Sequence, residues 1–388
     1  MKKLFYVFSA LIISAVMVGC GSTDTKDEAE KTSQKQESVS AKDDLLCCFD
    51  NKKCGFMDTK GNIVIIPQFD NARCNYNDGS KFFFNDGLQA VAIGDKWGYI
   101  DTKGKFVINP QFDDAEPFCE GLARVCLNHK WGFIDKNGKY VVNPQYRYAR
   151  DFHEGMAVVT IDINKDGYID KEGRLVITPQ YENCDDFCEG VAVVQVGDRY
   201  GFIDKNGDYV INPQFDEARS FSEGLAAFRI GDKYGYIDKT GNYKIYPQFD
   251  KVYDFEEGVS IVCVGDKYVL IDKNGKYIVA PIYDYIRSFS DGLAAVVKDD
   301  KWGFIDKKGK EVIIPQFEYA ESFYNGLAAV AINEKFGFID KEGKMVITPQ
   351  FEESDYGFTY GDLGIVKLSG NWMAWINRSG VIVSQWQQ

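Results

Sequence analysis

Four groups of residues in this sequence have types and spacings that could do chemistry. The most regular is a row of carboxylates at Asp58, Asp101, Asp135, Asp170, Asp204, Asp238, Asp272, Asp306 and Asp340. Such a row could hold calcium or a cationic ligand, yet each member starts an Asp-x-x-Gly stretch of the kind that forms tight turns. At the tenth position stands Asn377, which keeps a turn-forming side chain and loses the charge, so the row is expected to shape turns. The second group is Asp162 to Asp170, which follows a calcium loop at several positions and then has Gly173 where a bidentate Glu should sit. The third is nine cysteines beyond Cys20: Cys47, Cys48, Cys54, Cys74, Cys119, Cys126, Cys184, Cys188 and Cys263. Those near the start are placed for disulfides, Cys184 and Cys188 are close enough in sequence to pair, and most of the rest read as small core residues. The fourth is the pair His129 and His153, and neither falls beside a recurring Ser or Cys that could act as a nucleophile.

No two carboxylates stand apart from the repeating rows as an acid–base pair, and no glycine-rich phosphate loop occurs. The expectation is therefore a protein without catalytic residues, metal or cofactor. Charge narrows the partners. The chain carries 45 basic and 58 acidic residues, a net charge of −13, which argues against nucleic acid or an anionic membrane surface as the ligand.

The elements that must position these residues begin with an unusual N-terminus. Met1-Lys2-Lys3 precedes an apolar run from Leu4 to Val18, too short for a stable span and suited to an export signal. Its end, Met17-Val18-Gly19-Cys20, resembles the lipobox of bacterial lipoproteins. That resemblance implies cleavage before Cys20, lipid attachment at Cys20, and a body held outside the cytoplasm on the cell membrane or the outer membrane. Residues 1–19 are then the signal, and residues 20–44 a lipidated cysteine followed by a polar tether expected to be disordered. As a coil that tether spans roughly 25 Å.

Residues 45–388 read as ten repeats. Trp97-Gly98-Tyr99-Ile100-Asp101 returns 34 residues later as Trp131-Gly132-Phe133-Ile134-Asp135, and again at Tyr200, Tyr234, Trp302 and Phe336. Asp166-Gly167 and Tyr268-Val269 are weaker copies, while Cys54-Gly55 opens the array and Met373-Ala374 closes it. Each unit continues through Asp-Lys-x-Gly, an aliphatic pair, Pro-Gln-Phe, a polar stretch and Glu-Gly-Leu-Ala-x-Val. This sentence resembles the WG-repeat family, over residues 54–386, and the resemblance implies no catalytic residues.

Taken from its residues, the unit holds three short antiparallel strands joined by tight turns. Trp302–Asp306 alternates large side chains, Asp306-Lys307-Lys308-Gly309 turns, Val312-Ile313-Ile314 follows, and Leu327–Ala331 is the third strand. The position of Ile313 is aliphatic in every complete unit and should face the core, whereas the position before it admits Lys244 and should be half exposed. Pro315 should end or edge its strand. The glutamines Gln68, Gln111, Gln145, Gln180, Gln214, Gln248, Gln316 and Gln350 could form an amide ladder between units.

Some thirty strands cannot lie in one flat sheet. The expectation is all-β, coiled into an open solenoid with degenerate end units as caps; the alternative is β-propeller-like closure. Open coiling is preferred because propeller blades usually take four strands in longer repeats. Function is expected to be recognition or spacing by a lipid-anchored scaffold, with a protein or glycan ligand. The alternative is an envelope enzyme or accessory subunit with its site in an irregular piece, Asn71 to Asp86 or Glu353 to Asp362. Tyr140, Tyr209, Tyr243 and Tyr277 form either a stacking surface or cross-strand packing.

Overall fold

The computed structural model describes residues 45–50, 52–73, 84–370 and 372–387. Cys20, the signal segment and the tether lie outside the described residues.

Each repeat folds into one small antiparallel meander, and ten such sheets follow one another along the chain. The eighth sheet shows the plan: Tyr285–Ile286, Leu293–Lys298, Lys301–Asp306 and Glu311–Phe317, paired in that order. The two-residue first strand is an element the sequence did not announce, since two residues carry no periodicity. The rest follows from local chemistry. Asp306 accepts hydrogen bonds from the amides of Lys308 and Lys310, both at 2.9 Å, which closes the turn. Gly309 takes φ of 76°, and its amide bonds the Asp306 carbonyl at 2.9 Å. Ile313 is 4% exposed and Val312 40%, the alternation expected of a strand with one buried face.

The glycine of the repeat has a reason that periodicity does not show. The fourth strand is bulged, so that Trp302 pairs with Phe317 and Phe304 with Ile313. This lays the fourth strand directly over Gly303. A Cβ there would stand 2.5 Å from the Ile313 oxygen, 2.5 Å from the Pro315 nitrogen and 2.8 Å from the Ile314 carbonyl carbon. Two units lack the glycine, and both depart from the plan. In the seventh, Val269 fills the core instead, and the sheet stops at three strands, Lys251–Val252, Val259–Val264 and Lys267–Asp272. In the tenth, Ala374 stands there, and Ile382–Gln387 pairs with Trp372–Asn377 in plain register from Trp372 to Trp375. Pro315 lies within the fourth strand, at the edge of its sheet, without ending it.

Cores form between neighbouring sheets, and they run around the whole array. Phe112 and Ile108 of the second sheet share a core with Val125 and Ile134 of the third. Equivalent clusters join each later pair up to the ninth and tenth. The last joins the ends: Leu46, Phe56 and Phe69 of the first sheet pack with Leu363, Ile365, Met373 and Trp375 of the tenth, and with Val91 and Ile100 of the second. Phe49 meets Trp386 at 6.0 Å between ring centroids, and Val383 sits against Gly61.

The array therefore closes on itself as ten small blades, which corrects the expectation of an open solenoid. The degenerate end units are not caps facing solvent; their apolar faces cover each other. The repeat length misled because the first strand of blades two to nine is only two residues long, so four strands fit into 34 residues.

Candidate functional site

Most recurring polar residues hold blade to blade. Glu120, Glu154, Glu189 and Glu223 each accept a hydrogen bond from the turn amide of the next blade, Gly155, Gly190, Gly224 and Gly258, at 2.8–3.1 Å. Lysines of the next blade pair with the same carboxylates: Lys171 with Glu120 at 2.9 Å, Lys205 with Glu154 at 3.3 Å, Lys239 with Glu189 at 3.1 Å. At the other end of the sheets, Asp70, Asp113 and Asp250 cap the hairpin amides of Gly94, Asn128 and Gly265 in the following blade. Each also pairs with a lysine of its own blade: Lys53, Lys96 and Lys233. These lysines hold the three carboxyls below the usual aspartate range. Sequence reasoning passed over both sets of clamps, although the recurrence of Glu before Gly, and of Asp after Phe, was visible.

The chemistry-bearing groups of the sequence divide accordingly. The turn aspartates serve their turns; Asp238 is pushed far below its ordinary range by hydrogen bonds from Thr240 and from turn amides. Within the calcium-like stretch, Asp162 accepts from the Ile163 amide, Asp166 accepts from the Thr160 hydroxyl at 2.6 Å, and Asp170 pairs with Arg174 at the far end of its strand. The structure does not bring these acids together. The glutamine ladder is a second correction. Gln111, Gln214, Gln248, Gln316 and Gln350 each donate to a carbonyl two residues back in their own strand, and among the described residues no glutamine amide bonds to that of a neighbouring unit.

Cys47 is disulfide-bonded, and Cys48, Cys54 and Cys126 are buried thiols. Burial raises the Cys48 thiol to about 11 and Cys54 to about 12, which makes both poor nucleophiles. Cys119 and Cys188 donate to the Phe152 and Phe221 carbonyls of the next blade, at 3.2 and 3.1 Å. Cys184 lies in the core beside Phe187. His129 occupies a hairpin turn at φ of 61°, and His153 lies 3.5 Å from Asp186. Of the irregular pieces, residues 74–83 lie outside the described residues, and Glu353–Tyr360 is the long first strand of the tenth blade.

A different set of side chains forms a continuous surface. Tyr268, Tyr285, Trp302, Tyr319 and Phe336 follow one another across the seventh, eighth and ninth blades. Their centroids are 5.1, 6.0, 5.2 and 5.8 Å apart, and all five rings are half-buried. The belt arises because the first residue of each two-residue strand lies on the same sheet face as the opening aromatic of the repeat. Tyr285 pairs with Val297, and Val297 with Trp302.

Arg287 sits over this belt, 5.0 Å from the Trp302 ring centre and 5.4 Å from that of Tyr319. It is fixed there by Glu321 at 3.2 Å and by a 2.6 Å hydrogen bond to the Tyr319 hydroxyl, which itself donates to Glu321 at 2.6 Å. Elsewhere there are shorter versions: Arg73, at the position of Arg287, lies over Trp97 at 4.6 Å, and Arg124, from a second strand, lies over Trp131 at 5.2 Å and Tyr148 at 5.8 Å. The tyrosines named from the sequence behave differently. Tyr140 and Tyr243 pack edge-on or tilted against Phe112 and Phe228, while Tyr209 and Tyr277 are 45% and 41% exposed.

Fold and side-chain arrangement together define an all-β ring of ten repeated blades, with its polar residues largely committed to joining those blades. The WG containing repeat model matches nine times in succession, at residues 55–97, 97–131, 131–164, 167–200, 200–234, 234–268, 270–302, 302–336 and 336–372, and the chain belongs to this family. No curated protein matches it in sequence. Among solved structures, one described as a eukaryotic initiation factor superposes with a TM-score of 0.52 at 11% identity, covering 80% of this chain and 96% of that one. BamB from Moraxella catarrhalis matches with a TM-score of 0.35 at 11% identity, covering 78% and 94%. AztD from Citrobacter koseri matches with a TM-score of 0.34 at 12% identity, covering 78% and 92%. At these identities the first likeness speaks to fold alone.

Proposed function

We propose that this chain is a non-catalytic recognition scaffold, lipid-anchored through Cys20 to a bacterial envelope membrane, and that it binds a protein partner on the aromatic belt of blades seven to nine. The observation that carries the reading is the unbroken run Tyr268–Tyr285–Trp302–Tyr319–Phe336 with Arg287 locked against it. Tyrosine, tryptophan and arginine supply most of the binding energy at protein interfaces, because they offer large contact area with few torsions to freeze. Arg287 is already ordered by Glu321 and Tyr319, so docking need not order it again.

The anchor and the export signal rest on the N-terminal sequence, Met1 to Cys20. A spacer role would need no such surface, since the clamps between blades already satisfy the structural need.

The test is capture of a partner from envelope extract by the chain and by its Trp302→Ala and Arg287→Ala variants, with a glycan array in parallel. The reading expects a captured protein whose affinity falls by about 30-fold or more in Trp302→Ala, the equivalent of about 2 kcal/mol at a hot spot. Capture unchanged by both variants would refute the belt. A glycan signal that depends on Trp302 would replace protein by carbohydrate as the ligand.

A further inference from the structure

The fourth strands are the edges of their sheets, and an edge strand offers unpaired backbone groups to any other strand. Nine repeats meet this hazard in the same way. Pro67, Pro110, Pro144, Pro179, Pro213, Pro247, Pro281, Pro315 and Pro349 each remove a donor from the segment that follows the turn. Where a fourth strand forms in those units, it is also bulged over the repeat glycine.

The tenth unit has no proline there, and its fourth strand is not bulged over the residue at the glycine position; its register shift falls later, between Trp375 and Ile376. Its fourth strand, Ile382–Gln387, has no proline and no charged side chain. Ala374 keeps it from collapsing onto the third strand, so it runs in plain register opposite Trp372, Met373, Ala374 and Trp375. Among the described residues it pairs with Trp372–Asn377 alone. Exposed aliphatic side chains stand on both blades of the closure: Val381 at 58% and Ile382 at 44% on the tenth, and Ile63 at 60% and Ile66 at 67% on the first. At the position of Ile66 five other repeats place Asn109, Asn143, Thr178, Asn212 and Thr348, one places Ala280, and two place exposed apolar residues, Tyr246 and Ile314.

We propose that the Ile382–Gln387 edge is a self-association site, pairing antiparallel with the same strand of a second copy of this chain about a two-fold axis. A two-fold pairing brings a strand edge against itself, so its donors and acceptors find each other without a second specialised surface. The strand is neutral along its whole length, so two copies meet without like-charge opposition. The neighbouring aliphatic side chains supply apolar surface to bury beside the new ladder. This site stands apart from the aromatic belt and does not depend on it.

The test is light-scattering mass of the purified chain across a hundredfold range of concentration. The expected result is a rise from the 43.9 kDa monomer toward twice that mass. Two variants locate the contact: Gln385→Pro, which removes an edge donor, and Ile382→Lys with Gln385→Lys, which sets like charges opposite each other while leaving the backbone intact. Both should remain monomeric throughout, and the lysine variant should keep the unperturbed circular dichroism spectrum and melting profile. Deuterium uptake at the amides of residues 382–387 should fall with concentration in the unaltered chain. A monomer at every concentration overturns the proposal, and so does a dimer that persists in the lysine variant.

Discussion

Replacing Gly303 by alanine should damage this protein far more than the loss of one glycine suggests. The added Cβ would meet backbone at 2.5, 2.5 and 2.8 Å, where an ordinary contact is 3.4–4 Å. Relief requires the fourth strand to move by roughly 1 Å. Overpacking of this kind costs about 1–3 kcal/mol, and each ladder hydrogen bond lost adds about 1 kcal/mol. The expected destabilisation is about 3 kcal/mol by urea unfolding, with faster amide exchange along Glu311–Phe317. Gly292 supplies the control. It has φ of 83° and open space around its Cβ position, so Gly292→Ala carries only left-handed strain of about 1–2 kcal/mol. If Gly303→Ala costs under about 0.5 kcal/mol, or no more than Gly292→Ala, the reason given for the repeat glycine is wrong.

The inter-blade clamps can be tested at Glu189, whose carboxylate accepts from the Gly224 amide and pairs with Lys239. Glu189→Ala should cost about 1–2 kcal/mol, with exchange rising first at the turn around Gly224. Acidity should act in two stages. Burial raises the carboxyls of Asp186, Asp254 and Glu256, so stability should increase as pH falls from neutral toward their folded values, where they take up protons. Asp70, Asp113 and Asp250 are held low by their lysines, so their contribution is present above the unfolded value of about 3.9 and is lost as pH falls through their folded values. A urea midpoint that peaks at mildly acidic pH is expected, and one that declines steadily from pH 7 downward would contradict this assignment. Asp254→Asn should raise the midpoint at pH 7, since it removes a charge that burial disfavours.

Much of the blade could be read from the chain because its determinants are local. Asp306 and Gly309 announce a turn, and Ile313 announces a buried face, within a dozen residues of one another. Closure could not be read in that way. It depends on Phe49, Phe56 and Trp375 meeting across more than three hundred residues, and no short pattern encodes such a contact. The belt was hidden for a related reason. Tyr285 and Tyr319 sit in two-residue strands too short to show alternation, although their recurrence at the spacing of Trp302 and Phe336 was present in the sequence. Repeat symmetry also correctly demoted the aspartate row, because the tenth unit does the same work with Asn377, which accepts from the amides of Ser379 and Val381.

Closure of the ring is the claim on which the rest depends, and a distance between spin labels at Asp50 and Gln387 tests it most directly. Both residues are exposed, and each adjoins one member of the Phe49–Trp386 contact at 6.0 Å. A closed ring predicts a single narrow distribution below about 20 Å, allowing for the labels, because sheets that face each other stand about 10 Å apart. An open stack of ten sheets at that spacing would place the labels roughly 90 Å apart, and a distribution centred there would contradict the account.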